Sequence, residues 1–262
     1  MKKIYYTVIA ALALLSSCSR NPDQMVEWTF NAPATKASFS EAGNFSWDAG
    51  DRISVWNATS ASFVSFTTVA GKGIFRATAP ADAHFSQWAY FPESIAKGLE
   101  TIHIENGTVP MCAKIEEGSD VLHFRHAGAL VTIRLKNVPE EAVSFVIGSG
   151  STAFTGDFTL TGGVWNVSGN SGSMVMPISA GDFAFSTAVP AGEYSLWYSL
   201  KDASGVDIFK RETDGDFNFQ RGYSYSFPLE NLDSDNSLDI NGRIPIESIV
   251  ITSDTDNWNG LE

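Results

Sequence analysis

The sequence predicts an all-β protein, and three observations carry that expectation. Apolar residues recur with a period of two in short runs along most of the chain. Clusters of Gly, Asn, Asp, Ser and Pro separate those runs at the spacing of sandwich strands. No amphipathic helix longer than two turns stands out. The length beyond residue 17 suits either two modest domains or one large sandwich.

In chain order, the first element is a targeting segment. Lys2 and Lys3 form a basic start, and Ile4 to Leu15 is an apolar run. That run is shorter than the roughly twenty residues a spanning helix needs. Leu15-Ser16-Ser17-Cys18 reads as a lipobox, a small-residue cleavage site ending in cysteine. Residues 1–17 are therefore expected to be a signal peptide and 18–25 a tether; the resemblance to bacterial lipoproteins implies lipidation at Cys18, with acyl chains anchoring the protein in the outer membrane.

The first strand follows, with Val26, Trp28 and Phe30 alternating against Glu27 and Thr29 until Pro33. A polar run from Thr35 to Ser40 comes next, then Phe45 to Trp56, FSWDAGDRISVW. Phe45, Trp47, Ile53 and Val55 share one parity, so a hairpin turning through Asp48 to Asp51 would put all four on one core face. Gly50 supplies the positive φ such a turn needs, and Asp51 an acceptor for its free amides. Further strands are expected at Phe63–Val69, Ile74–Ala77, Trp88–Phe91, Ile102–Ile104 and Val121–His126. Ala129, Val131, Ile133 and Leu135 alternate with Thr132, Arg134 and Lys136 in the most regular period-two run. Strand signals continue at Val143–Ile147, Phe154–Leu160, Val164–Val167, Met174–Ile178 and Phe183–Val189, then Tyr194–Leu200, Val206–Phe209 and Tyr223–Leu229. Asp233 to Gly242 reads as a polar linker, and Ile244, Ile246, Ile249 and Ile251 mark a strand-prone tail in which Pro245 suits an edge.

Charge and chemistry narrow the function classes. The formal charge of −13 becomes −15 once Lys2 and Lys3 leave with the signal peptide. Such an acidic surface repels phosphate backbones and argues against nucleic-acid binding. With Cys18 acylated only Cys112 remains, so no internal disulfide forms, and no convincing base lies near it in sequence. His123 and His126 stand three apart in an extended segment and point to opposite faces, a poor metal pair; His84 and His103 lack partners at ligand spacing. No nucleophile-elbow, zinc-helix or phosphate-loop pattern occurs. Asp233, Asp235 and Asp239 lack the central Gly and final Glu of a calcium loop. No catalytic residue, metal or cofactor is expected. Trp56 and Trp258 could stack on sugars, although a core or edge Trp is the commoner case.

Trp47, Gly50, Asp51 and Ile53, spaced W-x-x-G-D-x-I, resemble the hallmark of the fimbrillin (FimA/Mfa-like, type V pilin) lipoproteins of Bacteroidetes. Leu122-His123-Phe124-Arg125-His126 before Ala129-Leu130-Val131 resembles that family's L-x-F-x-H segment, and Pro190-Ala191-Gly192-Glu193-Tyr194 its late P-A-G-x-Y turn. The resemblance implies two tandem β-sandwich domains of transthyretin-like character, placed here at 26–120 and 121–232, with 233–262 as linker and terminal strand segment. It also implies removal of the first strand by a protease that prefers Arg or Lys, here at Lys36, and its replacement by a strand from another subunit. Val26, Trp28 and Phe30 would then be the exchanged side chains and the tail the candidate donor. A non-exchanging anchor that keeps its first strand and packs the tail on its own sheet is the alternative. The chain is shorter than a typical stalk pilin, which leaves stalk, tip and anchor open.

Two functions of different class follow. One is a structural or anchor subunit of a fimbrium at the cell surface, with other pilin subunits or copies of itself as partners. The other is a monomeric surface lipoprotein that binds a glycan or host ligand.

Overall fold

A computed structural model describes residues 24–33, 47–105, 110–151, 153–161, 164–221, 223–229, 243–244 and 250–252. Among them the chain is all-β, apart from one 3-10 turn at Glu93–Ile95. The first lobe holds β1 (Met25–Asn31), β2 (Arg52–Asn57), β3 (Ser62–Thr68), β4 (Ile74–Pro80), β5 (Phe85–Phe91), β6 (Ala96–Gly98), β7 (Thr101–Ile104), β8 (Met111–Ile115) and β9 (Arg125–His126). Seven of these form one sheet in the order β1-β4-β3-β2-β5-β8-β9. The sheet curls until its two ends nearly meet. Asn31 donates its amide to the Asp120 carbonyl at 2.7 Å, and Leu122 donates to the Asn31 carbonyl at 2.8 Å, so the segment before β9 touches β1. Inside the curl lie Phe30, Trp47, Ile53, Val55, Phe66, Phe75 and Phe124.

The second lobe continues with β10 (Gly128–Val138), β11 (Ser144–Ser149), β12 (Thr155–Thr161), β13 (Val164–Gly172), β14 (Met174–Pro177), β15 (Gly181–Pro190), β16 (Gly192–Lys201), β17 (Asp207–Phe219), β18 (Ser224–Leu229), β19 (Arg243–Ile244) and β20 (Val250–Thr252). Two sheets, β15-β10-β18-β20 and β14-β11-β16-β17-β19, enclose one core that includes Ile133, Leu135, Phe145, Tyr198, Leu200 and Phe227. On β10 the alternation reads as expected, with Val131, Ile133 and Leu135 buried and Arg134 and Lys136 exposed.

A fourth sheet, β13-β12-β7-β6, crosses the division expected at 120/121. β7 belongs to the first lobe and β12 to the second, and they pair from Gly156↔Ile104 to Thr159↔Thr101. Under this sheet Tyr90, Ile102 and Cys112 meet Phe158 and Trp165 in a shared apolar cluster. The reason is that the outer face of β5 and β8 is itself apolar and needs a cover. His103 and Asp157 add a contact across the same pair, Nδ1 to Oδ1 at 2.5 Å.

Three local expectations change. The hairpin expected at 45–55 is not formed by its described residues: Trp47 lies outside any strand, and β2 is flanked by β3 and β5. The backbone of the 48–51 turn is instead tied to the end of β3, where Gly50 donates to the Thr68 carbonyl and Thr68 donates to that of Asp51. Met111 to Ile115, which carried no strand signal, forms β8 with residues buried on both faces. The run expected to stop at Phe209 continues to Phe219, because β16 offers it a partner along nearly its whole length.

Candidate functional site

The seat of β1 gathers more of the expected functional residues than any other place. β1 is the edge strand of the seven-stranded sheet and pairs antiparallel with β4 from Met25↔Pro80 to Asn31↔Ile74. Asn31 turns its backbone groups toward Asp120 and Leu122, so by the two-residue repeat Val26, Trp28 and Phe30 turn theirs toward β4. Phe30 is 5% exposed and meets Phe66 and Phe85 edge-on at ring distances of 5.2 and 5.8 Å. Trp28 is half-buried, stands edge-on to Phe85 at 5.2 Å and donates its indole N–H to the Pro80 carbonyl at 3.2 Å. Val26 is half-buried on the same face. Outside, Glu27 pairs with Arg76 at 3.1 Å; both are exposed, so the pair adds little.

The end of the strand is held harder than its middle. Ala32 is fully buried, donates to the Gly73 carbonyl at 2.6 Å and accepts the Trp47 indole N–H at 2.8 Å. Gly73 has φ +70°, and a Cβ there would fall 2.0 Å from the Ala32 oxygen, so only glycine lets the two backbones approach. Trp47 also packs edge-on against Phe75, Phe91 and Phe124. The Asn31 amide group donates to the Asp120 carboxylate at 2.9 Å. Gly50 has the expected positive φ, +93°, and Asp51 Oδ2 accepts the Asp48 amide at 2.8 Å. Burial raises the Asp51 carboxyl above its ordinary value although that hydrogen bond pulls the other way.

Of the expected site residues, Phe30, Trp47 and Ile53 lie in the first lobe's core and Trp28 packs against it, while Val26 is half-buried on the same strand face and Phe45 lies outside the described residues. Cys18, Lys36, Ile246 and Ile249 lie outside the described residues. Ile244 sits in β19, which runs parallel to β17 at Glu212↔Arg243 and Thr213↔Ile244. Ile251 sits in β20, antiparallel to β18 at Tyr225↔Ile251. Ala32, Gly73 and Asp120 were not singled out by the sequence. Gly71-Lys72-Gly73 reads in sequence only as a turn, and nothing there marks Ala32 or Asp120.

The titratable groups behave as packing residues. Burial pushes the Cys112 thiol up to about 12, far from a nucleophile's range. His126 is buried and its imidazole is pushed down to about 4, while His123 faces solvent. Among the described residues no group of three His, Cys, Asp or Glu is placed to hold a metal ion, and no helix is long and apolar enough to cross a membrane. Trp56 is half-buried against Phe63; Trp258, Asp233, Asp235 and Asp239 lie outside the described residues.

No protein-family model and no curated protein matches the chain. Solved structures do. A candidate cell adhesion protein from Bacteroides ovatus superposes with a TM-score of 0.53 at 13% identity, over 86% of this chain and 94% of that one. A candidate cell adhesion protein from Bacteroides uniformis gives 0.48 at 15% identity, over 87% and 98%. The fimbrial anchor protein Mfa2 from Porphyromonas gingivalis gives 0.38 at 13% identity, over 86% and 94%. The first of these carries the comparison: the chain has the all-β architecture of that protein along nearly the full length of both. That shared fold is consistent with the fimbrillin-like resemblance of the sequence motifs.

Proposed function

We propose that the chain is a structural or accessory subunit, in the manner of an anchor, of a fimbria-like surface polymer, and that it contributes to adhesion rather than catalysis. Cys18 is its lipid attachment to the outer membrane for as long as the chain keeps its first strand, and other pilin subunits or further copies are its partners. The observation that carries this reading is the seat of β1. An edge strand near the start of the folded region supplies Phe30 and Trp28 to the first lobe's core, and Lys36 follows it by a few residues. Burying one such side chain stabilises by roughly 1.5–3 kcal/mol, so a bed emptied of β1 would be strongly driven to take another strand. The lipobox and the ordered motifs support surface placement and family, and the shared fold supports the architecture.

The test is gel analysis of surface-extracted protein without boiling, with the N-terminus of each band read by mass spectrometry. A ladder of oligomers is expected, with termini at Ala37 if the strand is exchanged and at lipidated Cys18 if the chain is an anchor. A single monomeric band would overturn the reading in favour of a solitary ligand-binding lipoprotein.

A further inference from the structure

Resting on the reading that assembly occurs at the seat of β1, we infer that this bed is shaped for a strand of a different subunit, one carrying two bulky aromatic residues two positions apart, and not for this chain's own tail. The bed reads its occupant at five consecutive positions. Position 28 takes a large ring that lies edge-on to Phe85 and donates to the Pro80 carbonyl. Position 30 takes a ring enclosed by Phe66 and Phe85, and that residue is 5% exposed. Between them, position 29 is a spacer on the opposite face of the strand. Position 31 takes a side-chain donor for the Asp120 carboxylate. Position 32 takes a small residue: Ala32 is fully buried, with its amide on Gly73 and its carbonyl under the Trp47 indole.

The pattern is therefore ring, spacer, ring, amide donor, small residue. Residues 230–262 contain one aromatic, Trp258, and no second aromatic two positions away from it. The apolar residues of β19 and β20 are Ile244, Val250 and Ile251, all aliphatic. An aliphatic residue at positions 28 and 30 would leave unfilled volume between the phenylalanine rings, which do not collapse freely in a packed core. It would also lose the indole hydrogen bond to the Pro80 carbonyl, which would keep the Ala83 amide. Copies of this chain joined head to tail through the tail would thus be poorly matched. A bed that rejects its own tail favours a mixed order of subunits over a uniform one.

The experiment uses the full chain with one protease sequence introduced between Pro33 and Trp47, cut once so that β1 stays bound without its covalent link. Three synthetic peptides compete for the bed: residues 24–33 as they stand, the same peptide with Trp28→Ile and Phe30→Ile, and residues 243–253 of the tail. Displacement of the native strand is followed by mass spectrometry of the retained complex. The native-sequence peptide is expected to exchange in, and the other two to need about a hundredfold higher concentration for the same displacement. Displacement by the tail peptide at a concentration similar to the native peptide would overturn the inference while leaving strand addition intact. A cut chain that sheds its strand unprompted, or one that takes none of the peptides, would overturn both the inference and the assembly reading beneath it.

Discussion

The two lobes complete their cores in different ways. In the first, β1 closes an interior that the rest of the lobe leaves open, and its rings make aromatic contacts with β3 and β5. In the second, among the described residues, the buried members of the core run from Ala129 to Leu229, inside the run of consecutive strands. Among the described residues the tail adds two paired positions through β19 and three through β20, against seven for β1. A lobe completed by a terminal strand can lose that strand and keep the rest of its chain connected; a lobe completed from within cannot. The first lobe is thus the one where losing or gaining a strand can be coupled to stability.

The sharpest test of that contrast is Trp47→Ala. Removing a buried Trp that also holds the Ala32 carbonyl should cost roughly 3–5 kcal/mol in urea unfolding. Phe227→Ala in the second lobe should cost a similar 3–5 kcal/mol. The contrast lies in local opening: Trp47→Ala should speed amide exchange along β1, and Phe227→Ala should not. Equal exchange at β1 in both variants would break the comparison.

Histidine protonation should come next in size, and it bears on the first lobe, where all four histidines lie. Burial lowers His126 from 6.5 to about 4 in the folded state. The unfolded chain therefore takes up its proton first as pH falls, and stability is lost between about 6.5 and about 4. The loss from this group amounts to about 3 kcal/mol. Unfolding midpoints measured from pH 7 to 4 should fall less steeply in His126→Leu, and identical slopes would remove this group as the cause.

Gly73→Ala should cost on the order of 1–3 kcal/mol, from strain at positive φ and from crowding of the Ala32 oxygen. The same thermal melts should show Gly50→Ala milder, because nothing lies within 4 Å of a Cβ there. Smallest of all, truncation before Arg243 should lower stability by about 1 kcal/mol or less, given how few ladder positions β19 and β20 add. A larger loss would mean that the tail completes the second lobe after all, and the contrast between the lobes would close.

Much of the fold was legible because alternation is a local signal. Val131, Ile133 and Leu135 show it, and so does β1 with Trp28 and Phe30. What was not legible depended on partners distant in sequence. Met111 to Ile115 alternates poorly because Cys112 faces one apolar cluster while Met111, Ala113 and Ile115 face another. The polar stretch Lys210 to Asp216 reads as a loop until β16 pairs with it. In the candidate site Trp47 could be picked out as a core anchor, but its bond to Ala32 joins positions separated by a polar segment with no pattern of its own. Asp120 was invisible for the same reason, since its partner Asn31 is 89 residues away.

The sheet β13-β12-β7-β6 also bears on how the molecule behaves under force. Two bodies joined by a single strand of chain swivel, and tension on them straightens the joint before it loads anything else. Here the chain passes from β9 into β10 at one place and the β7–β12 ladder clasps the lobes at another. Two attachments at different points remove the swivel. Tension applied across the two lobes is then shared between the covalent link and a row of hydrogen bonds, so the lobes resist it as one stiff unit instead of swinging apart.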